Sequence, residues 1–178
     1  MDIEQTKTLE ALQMSIQMEI DGGKFYKEAS QRCEIKVSRD LYEWLSEQED
    51  WHRQEVEAIY KLIQEKKDWP SVDVIGGRKG KGNAAEIFAR VTKSEACEIK
   101  ATGVELEILT KAMEIEDKTR VFYKKQGEMA AYEAPKKFFK TLSDEEHGHY
   151  LTLVDYREYL TNPVDWLTKT EHHSLDGG

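Results

Sequence analysis

Apolar residues recur at helical spacing along four long stretches of the chain, with charged residues filling most positions between them. This spacing puts the apolar side chains on one face of an α-helix. The stretches are rich in Glu, Lys, Gln, Leu, Ala and Met, and the chain has three prolines, a composition that favours helices. We therefore predict an all-α protein with four long helices near residues 5–31, 37–66, 102–129 and 135–160. The predicted core residues on their inner faces are Leu12, Ile16, Leu45, Leu109, Met113, Leu142 and Leu153.

The segment between the second and third predicted helices differs from the rest of the chain. Residues 67–101 include Pro70 and a run rich in glycine and lysine near residues 76–83, which disfavours a long helix. We interpret the segment as the long crossover of a four-helix bundle, with a short helix near residues 84–91. The prediction is a single domain over residues 1–178, made of one helical hairpin at about 5–66, the crossover, a second hairpin at about 102–160, and a tail at 161–178. A crossover of this length could also exchange hairpins between two chains.

Capping signals indicate where the four helices begin. Thr6 or Thr8 could cap the first helix. Ser38 and Thr102 have side chains that can accept hydrogen bonds from the first backbone N–H groups of the second and third helices. Pro135 suits the first turn of the fourth helix, where its missing N–H costs nothing.

One residue pattern occurs twice in the chain, with each member displaced by 97 positions. In each half, a glutamate lies 30 residues before the glutamate of a Glu-x-x-His tetrapeptide. The first set is Glu19, Glu49 and His52, and the second set is Glu116, Glu146 and His149. Flanking residues repeat as well, and Phe25-Tyr26-Lys27 returns as Phe122-Tyr123-Lys124. We therefore interpret the chain as two copies of one helical hairpin.

The six repeated residues have the properties of a two-metal site. Glutamate and histidine at i and i+3 share one helix face, and arms of about 15 residues, or roughly 22 Å, place the two glutamates of a hairpin at one level. Four carboxylates can bridge two divalent cations and balance their charge, while each imidazole adds a nitrogen ligand. Without metal, the carboxylates would repel one another and some would keep a proton. His147 is an alternative ligand, but in the repeat it matches Asp50, whereas His149 matches His52.

The composition excludes several classes of protein. A formal net charge of -9 and a pI near 5.2 argue against sequence-independent binding to nucleic acid. The sequence contains no apolar stretch of the roughly 20 residues that a membrane span needs, and its polar N-terminus lacks the features of a signal peptide. We therefore expect a cytoplasmic protein with neither a membrane nor a nucleic-acid partner. Cys33 and Cys97 are too far apart in sequence to indicate a Cys-x-x-Cys site or a disulfide framework.

The paired Glu…Phe-Tyr and Glu-x-x-His patterns resemble those of the rubrerythrin-like branch of the ferritin-like di-iron carboxylate proteins, over nearly the whole chain. The resemblance implies a ferritin-like four-helix bundle, two iron ions that manganese or zinc could replace, and a homodimer. It also implies terminal or bridging carboxylate ligands at Glu19, Glu49, Glu116 and Glu146, and nitrogen ligands at His52 and His149.

Two departures from the family pattern shape the expected chemistry. Full-length rubrerythrins resemble this chain followed by a rubredoxin domain with two Cys-x-x-Cys pairs, which these 178 residues do not contain. We therefore expect electrons to come from a separate donor, such as a rubredoxin-like protein. Rubrerythrins also carry an extra glutamate one turn beyond the first ligand of the third long helix, and that position is Thr119 here.

Residues next to the ligands have two interpretations each. Tyr26 and Tyr123 lie seven residues after a ligand glutamate, so each could donate a hydrogen bond to a carboxylate of the site or could simply pack in the core. Glu145 could hold the outer nitrogen of His52, and Gln48 could do the same for His149; exposed helix positions are the alternative.

Two glycines in the middle of the first helix also need a reason, because each costs about 1 kcal/mol relative to alanine. Gly22 and Gly23 follow Glu19 closely. They indicate either a close approach of two helices or a channel for oxygen or peroxide beside the metals.

The sequence leaves three functions open. The first is a di-iron oxidoreductase that reduces hydrogen peroxide or dioxygen, in defence against oxidative stress, with an external electron donor. The second is a ferroxidase or iron-handling protein, and the third is a structural metal site in an interaction module. No catalytic residue beyond the metal site is predicted.

Overall fold

The computed structural model describes residues 3–66, 69, 84–90 and 100–175, with side chains for residues 6–65, 69, 84–90 and 100–169. The helices in these ranges are α1 (Ile3–Arg32), α2 (Lys36–Lys66), α3 (Ala84–Phe88), α4 (Gly103–Met129), α5 (Glu133–Thr161) and α6 (Pro163–Leu175). The predicted all-α, ferritin-like bundle is confirmed. The ends of the four long helices differ from the predicted ends by two residues at most.

The start of α4 is capped as the sequence predicts. The Thr102 hydroxyl accepts a hydrogen bond from the backbone N–H of Glu105 at 3.2 Å, and the Glu105 carboxylate accepts one from the backbone N–H of Thr102 at 3.1 Å. This reciprocal pair is a capping box. Pro135 also lies in the first turn of its helix, because α5 begins at Glu133.

The prediction that Thr6 or Thr8 caps α1 is wrong, because both residues lie inside the helix, which begins at Ile3. The prediction that Ser38 caps α2 is also wrong. The helix begins two residues earlier, at Lys36, so Ser38 lies inside its first turn. Its hydroxyl is buried and contacts the hydroxyl of Tyr156 on α5. Ser38 therefore bonds to a residue of another helix and does not cap its own helix.

The two hairpins of the sequence repeat are also two hairpins in the structure. Residues 33–35 connect α1 to α2, residues 130–132 connect α4 to α5, and each pair packs side by side. Equivalent serines join the helices of each pair: Ser46 donates to the carbonyl of Gly23 at 3.0 Å, and Ser143 donates to the carbonyl of Arg120 at 3.2 Å. The 97-residue offset thus relates hydrogen bonds as well as residue types.

The apolar core consists of two clusters, and on each long helix the predicted ligands lie between them in sequence. One cluster includes Tyr26, Leu45, Met113 and Leu153, and the other includes Leu12, Val56, Tyr123 and Leu142. Ile16 is half-buried, and the other predicted core residues are buried. The bundle therefore places its polar centre at mid-height, with apolar packing on both sides.

Two shorter helices cover one end of the bundle. The predicted short helix of the crossover is α3, which ends at Phe88, and Phe88 packs on Tyr156, Tyr159 and Trp166. The segment predicted only as a tail forms α6, and its Trp166 is buried against α5. Crossover residues 67–68, 70–83 and 91–99, Cys97 among them, and the side chains of His172 and His173 lie outside the described parts. Within those parts, no helix combines the length and apolar character of a membrane span.

Candidate metal centre

The six predicted ligands meet in the interior of the bundle. Glu19 lies on α1, Glu116 on α4, and the two Glu-x-x-His pairs on α2 and α5. None of the six is more than 6% exposed. Because residues at i and i+3 share a helix face, each pair turns both of its side chains inward. The structure thus brings together all six residues that the repeat singles out.

Each imidazole presents Nδ1 to carboxylates of both hairpins. His52 Nδ1 lies 3.1 Å from Glu146 Oε1 and 3.5 Å from Glu19 Oε2. His149 Nδ1 lies 3.5 Å from Glu116 Oε2, 3.6 Å from Glu146 Oε2 and 3.7 Å from Glu49 Oε1. Ligand atoms of Glu49, His52, Glu146 and His149 all lie within 4.8 Å of one another, an arrangement that could hold a metal ion.

Every one of the six residues has a buried polar atom without a hydrogen-bond partner. Leaving such an atom unpaired costs about 1 to 3 kcal/mol, and more for a charged group, so six together indicate a missing interaction. A metal ion is the interaction that suits them, because carboxylate oxygens and imidazole nitrogens are its donors. The six atoms are Glu19 Oε2, Glu49 Oε1, His52 Nδ1, Glu116 Oε2, Glu146 Oε1 and His149 Nδ1.

Protons are held tightly when these groups face one another without metal. Burial and then the charge of Glu146 raise the pKa of Glu49 well above its usual value, and the same two causes raise the pKa of Glu116 to about 8. Burial lowers the pKa of His149, but Glu116 and Glu146 outweigh it and raise the pKa to about 9. Burial raises the pKa of Glu146, but the nearby imidazoles of His149 and His52 outweigh it and lower the pKa below its usual value. Cations could take the place of these protons.

The two repeated tyrosines each donate a hydrogen bond to a ligand carboxylate. Tyr26 on α1 donates to Glu116 on α4, and Tyr123 on α4 donates to Glu19 on α1. Both tyrosines are fully buried. Each bond therefore crosses from one hairpin to the other and holds one oxygen of the carboxylate, which leaves the second oxygen turned to the centre.

The outer nitrogen of His52 also faces a carboxylate. Glu145 Oε2 lies 3.2 Å from His52 Nε2, the contact that the sequence predicts. A carboxylate at Nε2 favours a proton there and leaves Nδ1 free to bind a metal. Gln48 is buried, but its contact with His149 stays a prediction.

Two neighbouring positions show what does not belong to the centre. His147 is exposed, so His149 is the histidine of its helix that reaches the carboxylates. Thr119 is buried and donates to the backbone carbonyl of Ile115 at 3.1 Å. The position of the family's extra glutamate is therefore occupied by a short hydroxyl side chain that bonds to its own helix.

The glycines of α1 lie where Glu49 needs space. A Cβ atom on Gly22 would lie 2.9 Å from Glu49 Oε2, closer than unbonded atoms normally approach. Gly23 lines a surface groove of about 570 Å³ between α1 and α2, and Glu19 also lines this groove. The glycines thus allow α1 to approach α2 closely at Glu49, and a channel to the metals stays a prediction.

Sequence reasoning missed two features of the centre. The ring of Trp44 packs edge-on against His149, with ring centroids 5.5 Å apart; its equivalent in the repeat is Thr141, so the repeat could not reveal it. A second groove, of about 530 Å³, lies over the equivalent face of α4 and α5, and none of the six ligands is among its described lining residues. The two faces of the bundle therefore differ in access to the centre.

Comparisons with known proteins show what the chain is similar to. A family model described as Rubrerythrin matches residues 10–154. A solved structure, a hypothetical protein from Pyrococcus furiosus, superposes with a TM-score of 0.61 at 24% sequence identity, over 87% of this chain and 90% of that chain. This likeness concerns the fold. A search of the curated proteins finds no match.

Proposed function

The chain belongs to the rubrerythrin family, and from this membership we propose that it binds two iron ions and reduces hydrogen peroxide with electrons from a separate donor. The ligands in this proposal are Glu19, Glu49, His52, Glu116, Glu146 and His149. The observation that carries the proposal is the unpaired buried polar atom on each of these residues.

The donor set suits iron better than it suits a structural zinc ion. Structural zinc sites usually have four cysteine or histidine ligands in a closed tetrahedron, whereas this centre offers four carboxylates and two imidazoles. Carboxylates can bridge two ions, and imidazole nitrogens suit iron. Bound iron would supply the electrons that break the O–O bond of peroxide.

The surrounding residues hold the ligands and admit a small substrate. Tyr26 and Tyr123 orient the carboxylates of Glu116 and Glu19, and Glu145 lies against the outer nitrogen of His52. The groove beside Gly23 reaches Glu19 from the surface. A molecule as small as peroxide could therefore approach the centre on this face of the bundle.

Stopped-flow spectroscopy tests the proposal directly. The iron-loaded, reduced protein is mixed with hydrogen peroxide and, separately, with dioxygen. The proposal predicts faster oxidation of the metal centre by peroxide, followed by turnover when an electron donor is present. If neither oxidant changes the metal spectrum, the enzymatic proposal is wrong.

Metal analysis tests the ligand assignment separately. The double variant Glu49→Ala, Glu146→Ala should lose most of its bound metal, because it removes one carboxylate from each hairpin. Glu65→Ala, Glu133→Ala is the matched control, since both residues are exposed acids on the same helices and line neither groove. Unaltered metal content in the first double variant would refute the ligand set.

The charge of the groove favours a second candidate, ferroxidase activity with iron handling. The α2 side of the α1–α2 groove carries Glu43, Glu47 and Asp50, and the groove is also lined by Lys24, Lys27 and Arg53. The repeat places Lys140, Asp144 and His147 at the positions of the three acids in the second groove. With Glu19, four acidic residues face three basic ones in the first groove, a small excess of negative charge that attracts Fe(II) weakly. A ferroxidase would take up more than two irons per chain, while a peroxidase would stop at two.

A further inference from the structure

An unbroken row of aromatic rings runs from the metal centre to α6. Tyr26 stacks on Tyr42 with ring centroids 6.1 Å apart, and Tyr42 meets Tyr156 at 6.3 Å. Tyr156 meets Tyr159 at 6.1 Å, and Tyr159 meets Trp166 at 5.3 Å. Each of the five rings is therefore in contact with the next.

Three of these rings are hydrogen-bonded towards a carboxylate. Tyr26 donates to Glu116, and the indole N–H of Trp166 donates to Asp155 at 2.7 Å. Ser38 donates to Glu105 at 3.3 Å, so its hydroxyl must accept the hydrogen bond that joins it to Tyr156. The phenol of Tyr156 thus leads through Ser38 to a buried carboxylate.

The repeat supplies an internal comparison. In the second half, Tyr123 takes the place of Tyr26 and donates to Glu19. Its stacking neighbour is Phe139, 6.2 Å away, where the first half has Tyr42. The position equivalent to Tyr156 is Ile59. The row of oxidisable rings therefore belongs to one end of the bundle and does not follow from the duplicated hairpin alone.

We propose that the five rings from Tyr26 to Trp166, together called the aromatic relay, carry oxidising equivalents from the metal centre to Trp166 on α6. The inference rests on the proposed function, in which the centre meets a strong oxidant. Tyrosine and tryptophan release an electron more readily when an acceptor takes their proton. Several short electron transfers are also faster than one long one.

The electrons and protons of the relay balance at each step. Bound iron in its oxidised state would accept an electron from Tyr26, and the phenol proton would stay shared with Glu116 in their hydrogen bond. Tyr156 then gives an electron to Tyr26 through the intervening ring of Tyr42. At the same time, Tyr156 passes its phenol proton to Ser38, and Ser38 passes its hydroxyl proton to Glu105. Trp166 gives an electron to Tyr156 through the ring of Tyr159 and passes its indole proton to Asp155. Each proton returns when its ring is reduced again, and an external one-electron donor finally reduces Trp166.

The relay can be tested without iron. A ruthenium photo-oxidant is attached to Val164→Cys in a Cys97→Ser background, and the full chain is loaded with redox-inert zinc. Val164 is 53% exposed and close to Trp166 in sequence, and Cys33 is buried. After a flash, the tryptophanyl radical should decay as tyrosyl radical absorption grows.

Two double variants give the decisive comparison. Tyr156→Phe, Tyr159→Phe keeps both rings but removes both phenols, so the tryptophanyl radical should live several-fold longer and the tyrosyl yield should fall. Tyr60→Phe, Tyr132→Phe removes two phenols outside the relay and should behave like the parent. Equal radical lifetimes in the two double variants would overturn the proposal.

A second experiment asks whether the relay serves the metal centre. The reduced iron protein is mixed with peroxide without a donor, and frozen samples are examined by electron paramagnetic resonance. The parent should trap a tyrosyl radical that ascorbate removes quickly, and in Tyr156→Phe, Tyr159→Phe ascorbate should remove the trapped radical several-fold more slowly. An equal rate of removal in the two proteins would overturn the relay. If the iron spectrum does not respond to peroxide, the proposed function fails, while the flash experiment still decides the relay.

Discussion

Gly22 shows how one missing methyl group bears on a metal ligand. Its position in the middle of α1 is unfavourable for helix stability, yet a Cβ atom there would meet the Glu49 carboxylate at 2.9 Å. The contact is with the end of a flexible side chain, so the carboxylate would move and the helix would stay. The glycine therefore matters more for the position of the ligand than for the fold.

Replacing Gly22 by alanine should separate metal binding from stability. Gly22→Ala should leave the metal-free protein at least as stable as the parent, because alanine favours the helix by about 1 kcal/mol. Its affinity for metal should fall by about 10-fold to 100-fold, as happens when a ligand loses its orientation. Titration with Fe(II) or Mn(II) and thermal unfolding measure the two effects.

The matched control for this substitution is Gly148→Ala. No atom lies within 4 Å of a Cβ built on Gly148, so this change should stabilise the helix without altering metal affinity. If Gly22→Ala binds metal as tightly as the parent does, the absence of a Cβ atom at position 22 does not matter for the position of Glu49.

Cys33 should be a slow nucleophile in the folded protein. Burial, followed by the charge of Glu105, raises the pKa of its thiol to about 11, and the thiolate is the reactive form. In a Cys97→Ser variant, iodoacetamide should modify Cys33 very slowly at pH 8 and rapidly in denaturant. Mass spectrometry measures the modified fraction over time. Rapid modification of the folded variant would show that the thiol is accessible and ionised.

At the scale of elements, the sequence predicts what depends on local contacts. The four long helices follow from apolar spacing and composition, and the Thr102 cap follows from a glutamate three residues later. Ser38 carries an equally good local signal but bonds to Tyr156, 118 residues away. The burial of Trp166 in α6 likewise depends on α3 and α5. Such long-range partners cannot be predicted from the spacing of residues in one segment.

Glu105 joins the two hairpins at the end of the bundle near residue 35. One carboxylate oxygen accepts from the backbone N–H of Ile35 at 3.1 Å and from Ser38, and the other accepts from the N–H of Thr102. Glu105→Ala should therefore destabilise the protein by about 2 to 3 kcal/mol, since two backbone donors lose their acceptor. Chemical denaturation measures the change.

Glu107→Ala is the control for that experiment. Glu107 is exposed on the same helix, and surface substitutions usually change stability by less than about 0.5 kcal/mol. If both variants unfold at the same denaturant concentration, Glu105 does not hold the hairpins together.

At the scale of the whole molecule, the repeat predicts which residues meet but not how they are paired. A constant offset of 97 positions singles out six residues, and the structure brings all six together. The repeat does not tell that Tyr26 bonds to a carboxylate of the opposite hairpin, because that depends on how the hairpins face each other. Nor does it predict the difference between the grooves, which arises from the residues that do not repeat.

Stability of the whole bundle should be coupled to metal through its buried carboxylates, and Glu49→Gln tests this coupling. Burial and neighbouring carboxylates raise the pKa of Glu49, so its contribution to stability is present at low pH and is lost as the pH rises. In the metal-free protein, Glu49→Gln should therefore raise Tm, and by more at pH 8 than at pH 5. Metal at about 100 times its Kd should stabilise the parent by about 2.7 kcal/mol, and most of this gain should disappear in the variant. Glu47→Gln, an exposed position on the same helix, should keep the parent's response to both pH and metal. Calorimetry with and without metal measures both effects, and a full metal-induced rise in Tm for Glu49→Gln would show that Glu49 is not a ligand.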